Sequence, residues 1–157
     1  GPHCAGFSGL LKRLSKAPRC RPGRFAEWLE KDPPMMGINV RATRETRYAL
    51  EIVTGAKTLE TRATDSLRPY VGRRVGIVET GRGPAHLVGF VTIGEPIQAN
   101  AGRAFDRLAG GHLVRPGCPF YPSEGVKFCY PMLDPEPCEP RAIDSRGIIA
   151  RRIDEPI

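Results

Sequence analysis

The chain has 157 residues, 40% hydrophobic and 26% charged, enough to bury one core and too few for a second full domain. Lysine and arginine number 24 against 17 aspartate and glutamate, a formal charge of +7 that favours an anionic partner such as RNA, a nucleoside or a nucleotide; scattered solvated arginines are the plainer alternative. No apolar run reaches the roughly 18 residues of a membrane span, no secretory signal segment is evident, and five cysteines (Cys4, Cys20, Cys118, Cys129, Cys138) avoid CxxC spacing; a membrane, a metal, a cofactor and a disulfide scaffold are therefore not implied, and a cytoplasmic home is expected.

Residues 1–35 read as a basic N-terminal extension and residues 36–157 as the domain. Gly1-Pro2 looks like a protease-cleavage scar. Lys12, Arg13, Lys16, Arg19, Arg21 and Arg24 occur in the first 24 residues with no acid, which suits a flexible nucleic-acid-binding arm, a targeting presequence, or sequence upstream of the domain proper. Met35 and Met36 favour the last. Phe25, Trp28 and Leu29 have helical spacing in residues 24–31, and Asp32-Pro33-Pro34 ends that segment.

From Met36 the pattern becomes globular. Residues 37–41 suit a short strand, and Thr43 is placed to cap a helix with Tyr48, Ala49, Ile52 and Val53 on one stripe; Glu45 complements its positive end and Gly55 its C-terminus. Residues 57–62 read as a strand, Leu67 and Pro69-Tyr70 as a turn, and residues 74–79 as a further strand. Arg82-Gly83-Pro84 turns the chain into residues 86–93, whose near-continuous apolar character implies burial on both faces. Residues 101–109 suit a helix ending at Gly110-Gly111, and residues 114–122 a loop. Residues 126–132 and 147–153 read as strands, with residues 133–141 and their three prolines as an irregular crossing. Short strands with two or three small helices indicate an α+β domain around a small barrel.

The most informative stretch is Gly55-Ala56-Lys57-Thr58-Leu59-Glu60-Thr61-Arg62. On a bare strand Thr58, Glu60 and Arg62 share a face opposite Lys57, unless Gly55 and a turn re-aim the lysine. The Gly55-x-Lys57-x-x-Glu60-x-Arg62 run, after an amphipathic helix and before two strands, resembles the signature of the ASCH domain, a relative of the RNA-binding PUA domains. Residues 89–95, Tyr130-Pro131 and residues 147–153 resemble further strands of that family, and the likeness covers about residues 36–154. It implies a small PUA-like β-barrel with flanking short helices and a cleft that takes RNA or nucleosides. Some small bacterial members are amidohydrolases that deacylate acetylated cytidine, and at least one has been described as a ribonuclease. In the amidohydrolase branch a threonine nucleophile occupies the position that Glu60 holds here, so that nucleophile does not carry over.

On the residues themselves, Lys57 can hold a phosphate or act as an acid or base, Glu60 can accept from a base edge or activate a water, and Arg62 can grip a phosphate or orient Glu60. A Glu60–Arg62 pair that merely braces the sheet is the structural alternative. Thr58, Glu79 and Tyr130 complete the expected ligand-binding set. Tyr70, Tyr121 and Tyr130 can stack a base, although core packing is the commoner role of a tyrosine. Arg73, Arg74, Arg82, Arg103, Arg107, Arg151 and Arg152 are candidates for a phosphate rim. His86 and His112 lack partners at metal or triad spacing. Three functions follow: an RNA- or modified-nucleoside-binding protein with a cleft of Lys57, Glu60 and Arg62; a hydrolase with Lys57 and Glu60 as its acid/base pair; or a non-catalytic interaction module.

Overall fold

The computed structural model describes residues 34–154. The basic extension and the expected helix at residues 24–31 lie outside the described residues, apart from Pro34 and Met35. Most of the described chain is strand. In order come β1 (Met36–Arg41), α1 (Tyr48–Val53), β2 (Leu59–Arg62), a 3-10 turn (Arg68–Tyr70), β3 (Arg74–Thr80), β4 (His86–Ile93), β5 (Ile97–Asn100), α2 (Arg103–Asp106), α3 (Ala109–His112), β6 (Val126–Ala142) and β7 (Ala150–Arg152). Among these residues no helix is long and apolar enough to cross a membrane.

The strands form one sheet in the order β2-β6-β4-β3-β1-β7, with β5 on β6, curled into a half-barrel. β1 and β3 pair in parallel, whereas the other pairings are antiparallel. β4 and β5 run in succession along one side of β6, and β2 lies along the other, so Cys129 pairs with both Ile97 and Thr61.

α1 has six residues, too few to hold itself in water; it forms because Tyr48, Ala49, Ile52 and Val53 bury against the sheet beside Ile38, Val40, Ile77 and Val91. Each aliphatic side chain so buried contributes about 1.5–3 kcal/mol. β3 faces two cores: Val75 and Ile77 enter the main one, and Val78 joins Leu87, Ile143 and Ile153 on the opposite side. That explains its nearly unbroken buried run.

Several expectations change. Thr43 does not cap α1: its hydroxyl accepts from the Thr46 N–H at 3.1 Å, closing a turn, and the helix starts at Tyr48 after Arg47. Residues 101–109 split into α2 and α3 with Arg107 and Leu108 between them, and Gly110 and Gly111 lie inside α3. Residues 133–141 continue β6, which is 17 residues long. The prolines are tolerated because this half of β6 pairs only with β4, through two register shifts, leaving its other edge without a ladder to complete. At the C-terminal end only Ala150–Arg152 is strand; residues 147–149 form a loop whose carbonyls at Gly147 and Ile148 accept from the Asn39 amide.

Candidate functional site

Backbone hydrogen bonds set the signature segment. Gly55, at φ +90°, reverses the chain after α1, a left-handed conformation that favours glycine. The Lys57 N–H then donates to the Glu51 carbonyl at 2.9 Å, and the Thr58 N–H to the Gly111 carbonyl at 2.9 Å. Gly111 permits that approach, since a Cβ there would sit 2.8 Å from Leu59 Cδ1 and 3.1 Å from Thr58 Oγ1. β2 therefore begins only at Leu59, and the turn swings Lys57 inward to the side of Glu60.

Lys57 is 1% exposed. Its Nζ donates to the His112 carbonyl, lies 4.3 Å from the centre of the Tyr48 ring and 3.9 Å from Glu60 Oε1. The other carboxylate oxygen, Oε2, accepts from Arg62 Nε at 3.1 Å and lies 3.0 Å from Arg62 Nη2. Arg62 Nη2 also donates to the Asn39 carbonyl at 2.8 Å, so this side chain reaches from β2 at one end of the sheet to β1 near the other. The Asn39 amide oxygen accepts from Arg151 Nε on β7. Lys57, Glu60 and Arg62 are thus joined, and the bracing role of the Glu60–Arg62 pair is real.

Burial lowers the Lys57 pKa from the ordinary lysine value, against the opposing pull of Glu60 and then Glu51. Burial raises that of Tyr48, whose hydroxyl lies 3.3 Å from Cys118 Sγ. His112 is fully buried and stacks on Phe105 at 3.9 Å between centroids. Its tautomer follows from its partners: Nε2 faces the Phe105 carbonyl at 2.8 Å and so carries the proton, while Nδ1 accepts from the Val114 N–H at 2.9 Å. Burial lowers the His112 pKa as well.

The remaining expected ligand residues do not join this group. Thr58 is exposed. Glu79 is held by Arg47 through two bonds, Nε to Oε2 at 3.0 Å and Nη2 to Oε1 at 2.7 Å. Tyr130 lies directly across from Glu60 on β6 but is fully buried, so it cannot stack a base; its hydroxyl has no hydrogen bond of good geometry. Tyr121 donates to Asp106, and Arg73 sits over Tyr70. In the expected rim, Arg74 is engaged by Thr92, Asp134 and Glu136, Arg151 by Asn39 and Ser145, and Arg152 by Asp154, while Arg82, Arg103 and Arg107 are exposed. Among the described residues no three His, Cys, Asp or Glu side chains gather as metal ligands.

Sequence reasoning missed the opening itself. A pocket of about 260 Å³ is lined by Glu45, Thr46, Tyr48, Glu51, Leu113, Arg115 and Cys118. Lys57, Glu60 and Arg62 do not line it, but Tyr48, whose ring Lys57 Nζ contacts, does. Tyr48 and Glu51 are one turn apart on α1, the only local signal for this wall, whereas the residue 113–118 side arrives from far along the chain.

No family model matches the chain, and no curated protein does. Solved structures do. The crystal structure of ASCH from Zymomonas mobilis (ZmASCH) superposes with a TM-score of 0.56 at 20% identity, over 68% of this chain and 73% of that one. A tyrosine-to-phenylalanine mutant of ZmASCH gives 0.57 at 20% identity over 71% and 77%. A serine-to-alanine mutant gives 0.59 at 17% identity over 76% and 89%. The fold is that of an ASCH domain. In this ASCH fold Lys57 and Glu60 are buried and Arg62 half-buried in one charged cluster, and Tyr48, whose ring Lys57 Nζ contacts, also lines the pocket.

Proposed function

We propose that this ASCH-fold protein binds RNA or a modified nucleoside, in a cleft whose charged floor is Lys57, Glu60 and Arg62 and whose opening is the pocket beside Tyr48. Closure of the curled sheet into a PUA-like barrel, through the reach of Arg62 to β1, belongs to the same reading. One observation carries it: a lysine 1% exposed holds its ammonium 4.3 Å from the centre of a tyrosine ring that lines an open pocket. Stability alone does not call for an ammonium there, because a methionine of similar volume would avoid several kcal/mol of desolvation. The cost of burying the ammonium instead points to a role at the pocket whose Tyr48 ring it contacts. Arg115, exposed and part of its lining, is placed to hold a flanking phosphate.

Fluorescence anisotropy with labelled single-stranded RNA, and calorimetry with free nucleosides, test this. Wild type is expected to bind, Lys57→Met to weaken binding about tenfold with the fold intact, and salt to weaken RNA binding. Absence of wild-type binding, or binding untouched by Lys57→Met, refutes it.

The lowered pKa of Lys57 beside Glu60 supports a second reading, a hydrolase that uses the two as an acid/base pair on water. Turnover of acetylcytidine or of labelled RNA, lost in both Lys57→Met and Glu60→Gln, would establish it. If Lys57→Met only lowers the melting temperature and no ligand is found, the interaction module stands.

A further inference from the structure

We propose that the pocket beside Tyr48 reads the amino-bearing edge of one unpaired nucleobase, with Glu51 as the specificity-determining acceptor, so that cytosine, adenine or guanine is taken in preference to uracil. This rests on the nucleic-acid reading above and narrows it.

Size sets the first limit. Pockets for drug-sized ligands run from about 300 to 1,000 Å³. At about 260 Å³ this one takes a single ring system, leaving sugar and phosphate outside.

Charge sets the second. The chain carries +7, yet the pocket is lined by two carboxylates, Glu45 and Glu51, and one guanidinium, Arg115. Neither glutamate side chain has a hydrogen bond or an ion pair among the described residues, in contrast to Glu60 and Glu79. A phosphate entering there would meet two like charges, so phosphates belong on the exposed arginines and the pocket belongs to a group that donates hydrogen bonds.

The inventory of polar groups points the same way. An ionised carboxylate only accepts, and the Tyr48 hydroxyl is engaged by Cys118 and the Leu113 carbonyl. Arg115 supplies the donors of the pocket, whereas Glu45 and Glu51 supply unpaired acceptors and ask the ligand for N–H groups. Cytosine, adenine and guanine each bring an exocyclic NH2 group, whereas uracil brings only its ring N3–H between two carbonyls, and those carbonyls would face the carboxylate acceptor to acceptor. The Glu51 backbone carbonyl receives the Lys57 N–H, so the reader is tied to the buried charged cluster.

Anisotropy titrations with labelled oligo(C), oligo(A), oligo(G) and oligo(U) decide the matter. At least one amino-bearing oligonucleotide is expected to bind about tenfold more tightly than oligo(U), the value of one good directional contact. Glu51→Gln, which presents an amide able to donate, is expected to cut that ratio to about threefold or less without weakening oligo(U). Glu51→Asp, which keeps the charge but shortens the arm, should reduce the ratio while retaining its direction. Equal binding of oligo(U) and the others, or a ratio unchanged in Glu51→Gln, overturns the proposal while leaving RNA binding intact. No binding of any oligonucleotide or nucleoside overturns both readings. Preferential binding of N-acetyl-arginine amide would show a pocket for a basic peptide and overturn this one.

Discussion

Glu60→Gln isolates the energetics of the buried floor, because glutamine keeps the shape and an acceptor for Arg62 while removing the charge facing Lys57. The Lys57 ammonium, 1% exposed and 3.9 Å from Glu60 Oε1, then keeps only the His112 carbonyl and the Tyr48 ring. Uncoupling one partner of a buried ion pair costs about 3–5 kcal/mol. Deprotonation of Lys57 caps that cost: from pH 7 to the ordinary lysine value of 10.5 lie 3.5 pH units, about 4.8 kcal/mol at 1.36 each, and at pH 9 the cap falls to about 2 kcal/mol. Glu60→Gln should therefore lose about 3–4 kcal/mol at pH 7 and no more than about 2 at pH 9, measured by urea unfolding. Lys57→Met should stay within about 1 kcal/mol of wild type, because the desolvation it avoids offsets the lost cation–π contact of about 0.5–2 kcal/mol and the orphaned His112 carbonyl at about 1–3. In the double variant Lys57→Met should recover most of the Glu60→Gln loss. A Glu60→Gln cost below 1 kcal/mol, an equal cost at both pH values, or no recovery in the double variant refutes the reasoning.

The pH dependence of the wild type carries the same sign. Lys57 has a folded pKa below 10.5, so on approaching that pH the unfolded chain binds the extra proton and stability rises with pH; Lys57→Met should flatten the rise in melting temperature on the alkaline side. His112 also has a lowered folded pKa, so stability should fall as pH drops below 6.5, and His112→Gln should flatten that slope at an intrinsic cost of about 1–3 kcal/mol from its lost hydrogen bonds. Gly111→Ala drives a Cβ to within 2.8 Å of Leu59 Cδ1 and should cost about 1–3 kcal/mol, with heteronuclear shift changes centred on residues 57–60. Asn39→Ala removes the donor to the Gly147 and Ile148 carbonyls and the acceptor for Arg151, so limited proteolysis should cut faster at residues 147–149.

Local chemistry made most strands legible. Residues 74–79 and 86–93 read correctly as strands because their apolar runs suit a buried strand wherever it lies, and Gly55 announced the end of α1 because few residues adopt φ +90°. Residues 133–141 misled because prolines forbid a ladder on both sides, yet only one side is paired, a fact set by where the sheet ends. Thr43 misled because a threonine hydroxyl closes a turn as readily as it caps a helix.

By itself the sequence put Glu60 and Arg62 on one strand face at a spacing of two, and left Lys57 opposite them unless a turn after Gly55 re-aimed it, as the fold does. Tertiary structure alone decided that Lys57 and Glu60 are buried and that the pocket lined by Tyr48 excludes them. Burial depends on what covers a side chain, and here the cover comes from the His112 carbonyl and residues 113–118, more than 50 positions away along the chain and brought close by the hydrogen bond between Thr58 and Gly111.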